Sequence, residues 1–323
     1  ERSSLPVTVK RIVPEVGSRW VEACASVRLV GAVTSYVIVF AVFVGASERF
    51  PAASLAAPSL HFSTGIAIAF ARSPMVSAEI AWELAQNTGG KFRLGLGSQV
   101  KAHIERRYSS QWDKPAPQMK DYVQAVKACL AAFRREAPLK HDGRYYKLET
   151  TRLWTLPAEL PPIYVATAGP VTAKKTGALC DGIITVGAPE EKIEGIFAKF
   201  EEGAREAGKD PSTMPRILQL HLSWAETDEE ALRNAMVEWP NGGMKFPKQD
   251  IRSPFDFEAM AKLVRPEDFK GRMLISSDLE AHRKQIQTFL DLGFDQIYLH
   301  NVGRNQREWA EAFGREVLPK LTA

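Results

Sequence analysis

Residues 162–186 read PIYVATAGPVTAKKTGALCDGIITV, and this stretch decides the fold class. Ile163 to Ala166 form an apolar run with β-branched and aromatic side chains, the composition of a strand buried on both faces. Gly169 permits a tight turn, and Pro170 suits a first helical position, where a missing N–H costs nothing. Small residues from Ala173 onward carry a helix to Leu179 that can pack closely on a sheet. Gly182 then opens a second apolar run, Ile183 to Val186, parallel to the first. Such a unit leaves backbone N–H groups at a helix N-terminus just past a strand's carboxyl end. That geometry suits a phosphate, and it also occurs as plain loop structure.

The same alternation extends in both directions. Towards the C-terminus, 188–207 reads as a charged helix ended by Gly208, and Arg216 to Ala225 as a strand. Thr227-Asp-Glu-Glu230 is a capping box for a helix to Trp239, and Ser277-Asp-Leu-Glu280 another for a helix ending at Gly293. Phe294 to His300 is the last strand, before a helix from Asn305 to Leu318. Towards the N-terminus, His61 to Phe70 is a strand interrupted at Gly65, where a bulge or a close approach is expected. Pro74 starts a helix with Val76, Ile80 and Leu84 on one face. Phe92, Leu94 and Leu96 alternate in a strand, followed by a polar excursion over 98–116. Met119, Tyr122, Val123, Val126, Leu130 and Phe133 recur at helical spacing, and His141-Asp-Gly143 marks a hairpin. Residues 1–58 show little pattern. Val7 to Val13 and Tyr36 to Val44 read as strands, Ser18 to Val27 as a helix, and Ala52 to Ser59 as a connection.

Strands and helices alternating over 323 residues predict an α/β fold, a (β/α)8 TIM barrel with insertions after strands 4 and 7. The expected organisation is a single barrel domain over 1–323, with 1–58 as an atypical N-terminal segment and 240–270 inserted over the barrel mouth. A doubly wound sheet is the alternative. No Gly-x-Gly-x-x-Gly follows a strand, which argues against a Rossmann cofactor site.

A net charge of +4 without any Lys/Arg run argues against a nucleic-acid partner and mildly favours anionic small molecules. Cys24, Cys129 and Cys180 lack metal-ligand spacing and read as reduced thiols, so no metal is expected. Residues 29–46 carry no charge and approach the length of a minimal membrane span. The favoured reading is a buried strand in a cytoplasmic protein, and a membrane anchor is the second.

Three blocks are familiar: STGIAIAFARSP (63–74), the 161–187 unit, and LGFDQIYLHNVGRNQ (292–306). From about residue 60 onward the chain resembles the luciferase-like flavin and deazaflavin oxidoreductases. The third block and WPNGGMKFPKQD (239–250) resemble the subgroup named after coenzyme-F420-dependent glucose-6-phosphate dehydrogenase. GLGSQVKAHIERR (95–107) and KPAPQM (114–119) are closer to another deazaflavin-linked subgroup. The resemblance implies an oxidoreductase that moves a hydride between coenzyme F420 and a small organic substrate. An FMN-dependent monooxygenase is the alternative, and a catalytically silent or membrane-tethered barrel binding protein is a reading of a different class. A homodimer is expected. Members of the family carry an Asp-His or similar pair on early strands, whereas residues 1–58 hold no His and, as acidic residues, only Glu1, Glu15, Glu22 and Glu48.

The resemblance also nominates site residues. Gly65 and Ile66 match a bulge, often with a non-prolyl cis peptide, behind the cofactor ring. Ala168, Gly169 and Pro170 match the turn that receives the cofactor phosphate, with Gly187 flanking it. His103 matches a polar position near the cofactor side chain, or is merely solvated. His300 and His221, at or near strand ends, are the catalytic candidates, with hydrogen-bonded core histidines as the plain alternative. Arg304 is expected to anchor its loop by an ion pair. Trp239 and Met244 either cover the site or pack the insertion down.

Overall fold

The computed structural model describes residues 61–153, 159–245, 251 and 253–322, with the strands Ser26–Arg28 and Tyr36–Val39. The expected Val7–Val13 strand, the 52–59 connection and most of the 29–46 run lie outside the described residues. The described residues group into two compact units.

One unit draws on Ala46–Arg216. Its sheet is parallel. Phe62–Ser63 and Ala67–Ile68 both pair with Phe92–Gly97, which pairs with Ile163–Ala166, which pairs with Gly182–Val186. The continuous burial of Ile163, Tyr164, Val165, Ile183 and Ile184 matches a sheet covered on both faces. The predicted 61–70 strand is split in two around a cis Gly65–Ile66 peptide bond. Helix Pro74–Asn87 starts where expected, with the Ser73 side chain accepting from Val76 N. Its buried face differs from the predicted one. Val76 and Ile80 point outward, while Ser77, Ala78, Ala81, Trp82 and Ala85 are buried. Small residues let this helix approach Pro115–Phe133, where Ser77 Oγ and Tyr122 Oη lie 2.6 Å apart.

Helices Pro170–Leu179 and Glu190–Glu206 cross at two glycines. A Cβ on Gly177 would lie 1.9 Å from the Phe200 carbonyl oxygen, and one on Gly203 1.9 Å from that of Lys174. The backbones touch there, so both positions need glycine for space rather than for dihedral freedom. Burial pushes the Cys129 thiol up to about 11 and the Cys180 thiol up to about 12, so both are poor nucleophiles.

The predicted hairpin is Lys140–Asp142 paired with Lys147–Glu149. It is held to helix Pro115–Phe133 by buried Asp121. Asp121 Oδ1 lies 2.8 Å from His141 Nε2, and Oδ2 accepts the Tyr145 and Tyr146 N–H groups. Gly143 is required because a Cβ would sit 1.9 Å from Asp121 Oδ1. Asp121→Ala strands two backbone donors and the histidine. We expect a loss of about 2–3 kcal/mol, read from the denaturant midpoint.

The second unit takes in Ile217–Pro247 and Ser253–Ala323 with the two N-terminal strands. Arg216–Ser223 pairs in parallel with Gln296–Asn301 and Leu274–Ile275; Gln296–Asn301 also pairs in parallel with Tyr36–Val39. Residues 36–39 are therefore strand, in the middle of the uncharged run. Ser26–Arg28 is a strand antiparallel to it, where the sequence suggested the end of a helix. No helix among the described residues is long and apolar enough to cross a membrane.

Thr227 caps helix Asp228–Glu238 as predicted, accepting from Glu230 N at 3.2 Å. The later cap shifts by one residue. Asp278 caps Leu279–Asp291, while Ser277 donates its N–H to Asp228 Oδ1. Within 240–270 the chain forms helix Pro254–Ala261 and turns at Pro240–Gly242 and Pro266–Phe269. Met244, Val264 and Phe269 are buried there with Met273 and Val302. Met244 thus packs this segment down.

Candidate functional site

In the first unit, strand Ile163–Ala166 ends at Thr167, whose N–H donates to the Ile184 carbonyl. Thr167 Oγ1 accepts the Gly169 N–H at 3.2 Å and closes the turn. Gly169 is the N-cap of helix Pro170–Leu179, with φ −136 and ψ 149. That is ordinary extended backbone, so the dihedral freedom of glycine is not what the turn uses. The relevant property is space, since a Cβ at Gly169 would meet nothing within 4 Å. No side chain caps this helix. Ala173 N–H returns to the Gly169 carbonyl, so the first-turn amides of Val171 and Thr172 have no helical acceptor. Ser98, Pro115, Met119, Thr167, Ala168 and Thr172 line a cleft of about 210 Å³ beside the turn.

The cis Gly65–Ile66 peptide lies in the same unit. Thr64 before it clamps Gly95: Thr64 Oγ1 donates to the Gly95 carbonyl at 2.7 Å and accepts the Gly95 N–H at 2.9 Å. The Ile66 side chain rests on Gly97, where a Cβ would be 2.6 Å from Ile66 Cδ1. His103 sits on the short helix Lys101–Arg106 and does not line the cleft. Burial and then the Arg107 charge lower its pKa. Gly187 is exposed, one residue beyond strand Gly182–Val186.

In the second unit the two nominated histidines meet. His221 and His300 are directly opposite in the parallel pairing of their strands. Their Nδ1 atoms are 2.8 Å apart. The Trp239 ring packs against both, with centroids 4.9 Å from His221 and 5.1 Å from His300. Burial holds the His300 pKa below the usual histidine value. Arg304 Nε donates to Glu238 Oε1 at 2.6 Å, the loop anchor expected from the sequence. Among the described residues no three His, Cys, Asp or Glu side chains are grouped to hold a metal ion.

Sequence reasoning named the turn, the bulge and both histidines, but not the Thr64 clamp or the cleft lining from Ser98, Pro115 and Met119. The GLG pattern at 95–97 was visible, yet what approached those glycines was not.

Comparison with known proteins agrees with this architecture. Residues 43–296 match the family model for luciferase-like monooxygenases. An F420-dependent glucose-6-phosphate dehydrogenase of Nocardia farcinica is 26% identical over 257 residues, 79% of this chain and 76% of that protein. The structure of an F420-dependent secondary alcohol dehydrogenase with an F420–acetone adduct superposes with a TM-score of 0.75 at 27% identity, covering 87% of this chain and 85% of that one. The F420-dependent tetrahydromethanopterin reductase of Methanopyrus kandleri shares the fold, with a TM-score of 0.68, 18% identity and coverage of 86% and 88%. The fold class is the TIM barrel of these proteins. With the family model matched over most of its length, the chain belongs to the luciferase-like monooxygenase family.

Proposed function

We propose that this chain is an F420-dependent oxidoreductase that transfers a hydride between the deazaflavin and a small alcohol or carbonyl substrate. The observation that carries the reading is the uncapped helix start at Gly169–Pro170, with open space at Gly169 and a cleft beside it. Relatives named for F420-dependent dehydrogenation support the choice of cofactor. Ala168, Gly169 and Pro170 would hold the cofactor phosphate, with Gly187 flanking it. Gly65 and Ile66 would support the ring, and His103 would stand near the cofactor side chain. When bound, the deazaflavin supplies hydride acceptance and donation, and the protein supplies position and proton handling. His221 and His300 are the proposed proton-handling groups.

Equilibrium titration of the purified protein with F420 and with FMN tests the reading. We expect F420 to bind at least 10-fold more tightly, a difference of about 1.4 kcal/mol. Tighter FMN binding would move the assignment to a flavin monooxygenase. A homodimer and a cytoplasmic location belong to the same proposal. Analytical ultracentrifugation and cell fractionation measure them.

A further inference from the structure

We propose that the first unit holds a second small-molecule site, separate from the turn at Gly169, which takes a small organic monocarboxylate against Arg72 and Tyr146. The site goes beyond the oxidoreductase reading and does not depend on it.

A cavity of about 330 Å³ opens between the Phe70–Ser73 turn, the loop at Ser110–Gln111, Gln118 of helix Pro115–Phe133, and Tyr145–Tyr146 of the hairpin. It shares no lining residue with the cleft beside Gly169. Its size suits a small metabolite rather than a polymer segment. Its walls are tied to one another. Gln118, only 3% exposed, donates from Nε2 to the Gln111 carbonyl at 3.2 Å and to Tyr146 Oη at 3.4 Å. Its Oε1 accepts the Asp113 N–H at 3.3 Å. The Phe70 ring meets Trp112 edge-on at 5.5 Å, and Tyr122 Oη donates to the Ser73 carbonyl at 3.3 Å. Loop, helix, hairpin and turn therefore form one preformed wall around the space.

That wall offers more protons than lone pairs. Arg72 spends an Nη1 proton on the Ile68 carbonyl at 3.1 Å, and among the described residues no carboxylate pairs with its guanidinium. The two carboxylates bonded to the hairpin are engaged elsewhere. Asp113 holds Tyr145 Oη at 2.8 Å and Arg144 at 3.2 Å, while Asp121 takes His141 and two backbone N–H groups. Tyr146 Oη accepts from Gln118 and keeps its own proton without an acceptor among the described residues. Burial raises the Tyr146 pKa, so the phenol remains a donor at neutral pH. A guanidinium fork and a phenol proton are the donors that a carboxylate takes. One cation balances one negative charge. A phosphate dianion would want a second cation or open helix amides, and Ser73 already takes the Val76 N–H on Oγ and the Ser77 N–H on its carbonyl. The rings of Phe70, Tyr145 and Tyr146 suit an aromatic or aliphatic body behind the carboxylate.

Isothermal titration of the cofactor-free protein with sodium benzoate and with benzamide tests the site, because these probes share a shape and differ in charge. We expect benzoate to bind at least about 10-fold more tightly than benzamide, a modest ratio because Arg72 is exposed to solvent. Arg72→Gln should abolish that preference, and Tyr146→Phe should weaken benzoate about 5-fold, with benzamide changed little by either. Gly169→Asp, in the other cleft, should leave benzoate binding at the parental value. Thermal unfolding confirms that each variant is folded. Should Tyr146→Phe not fold, Arg72→Gln decides, since its side chain is exposed and contributes no buried packing. Equal affinity for the two probes, or benzoate binding unchanged in Arg72→Gln, overturns the proposal. Loss of benzoate in Gly169→Asp with retention in Arg72→Gln overturns it too, by placing the carboxylate at the turn. Inorganic phosphate binding more tightly than benzoate overturns the monocarboxylate class. Titrating the same samples with F420 keeps the two readings apart: F420 binding without benzoate binding sinks only this site, and the converse sinks only the oxidoreductase reading.

Discussion

Gly95→Ala is expected to destabilise the protein by on the order of 4 kcal/mol. The added Cβ would lie 1.9 Å from the Thr64 carbonyl oxygen and 3.0 Å from Ile184 Cδ1. The first of these is backbone, so rotating a side chain cannot relieve it. Nor is Thr64 free to retreat. Its N–H donates to the Arg93 carbonyl at 3.2 Å, and its hydroxyl bonds both the N–H and the carbonyl of Gly95. Any shift that admits the methyl group breaks those bonds within a half-buried turn. Gly97→Ala is the natural comparison, because its Cβ would meet the Ile66 side chain at 2.6 Å. A side chain can yield where a carbonyl cannot, so we expect about 1–2 kcal/mol there. Urea unfolding of the parent and both variants reads the difference. A Gly95→Ala variant within about 1 kcal/mol of the parent would show that the close approach is absent in solution.

These two glycines also mark the limit of what the sequence can convey. The strand–helix–strand unit was legible because its strands are apolar apart from Thr185 and its turn carries Gly and Pro. Strands Ile163–Ala166 and Gly182–Val186 and helix Pro170–Leu179 fall within a residue of the expected bounds. Close backbone approaches were not legible. Glycine at 95, 143, 177 and 203 serves a neighbour distant in sequence, and no local pattern names that neighbour. The buried face of Pro74–Asn87 was misread for a related reason. Apolar spacing favoured Val76 and Ile80, whereas packing against another helix selected the alanines and Trp82. Leu274–Ile275 is too short for any periodicity to show. His221 and His300 were each visible near a strand end. Their pairing follows from the register of two strands 79 residues apart at the bonded pair, which only the fold fixes.

Gly169→Asp should weaken cofactor binding about 100-fold while leaving the fold intact. The backbone at Gly169 is extended, with φ −136, and a Cβ there meets nothing within 4 Å. Substitution therefore introduces neither dihedral strain nor a clash. A carboxylate at an N-cap position can even accept the first-turn amides, which are the groups an anionic ligand would use. It competes for those donors and places a negative charge beside the proposed phosphate. At about 4 Å and an effective dielectric near 20 the repulsion is roughly 4 kcal/mol, and exposure of Ala168 and Pro170 to solvent reduces it. Tenfold in affinity corresponds to about 1.4 kcal/mol, so a 100-fold loss fits the screened value. Gly169→Ala separates charge from bulk. It adds only a methyl group facing open space, and both its stability and its affinity should stay close to those of the parent. Titration with F420 and thermal unfolding of both variants make the comparison. A stable Asp variant with parental affinity would place the phosphate elsewhere. An Ala variant as weak as the Asp one would mean that close backbone approach, rather than charge, governs the turn.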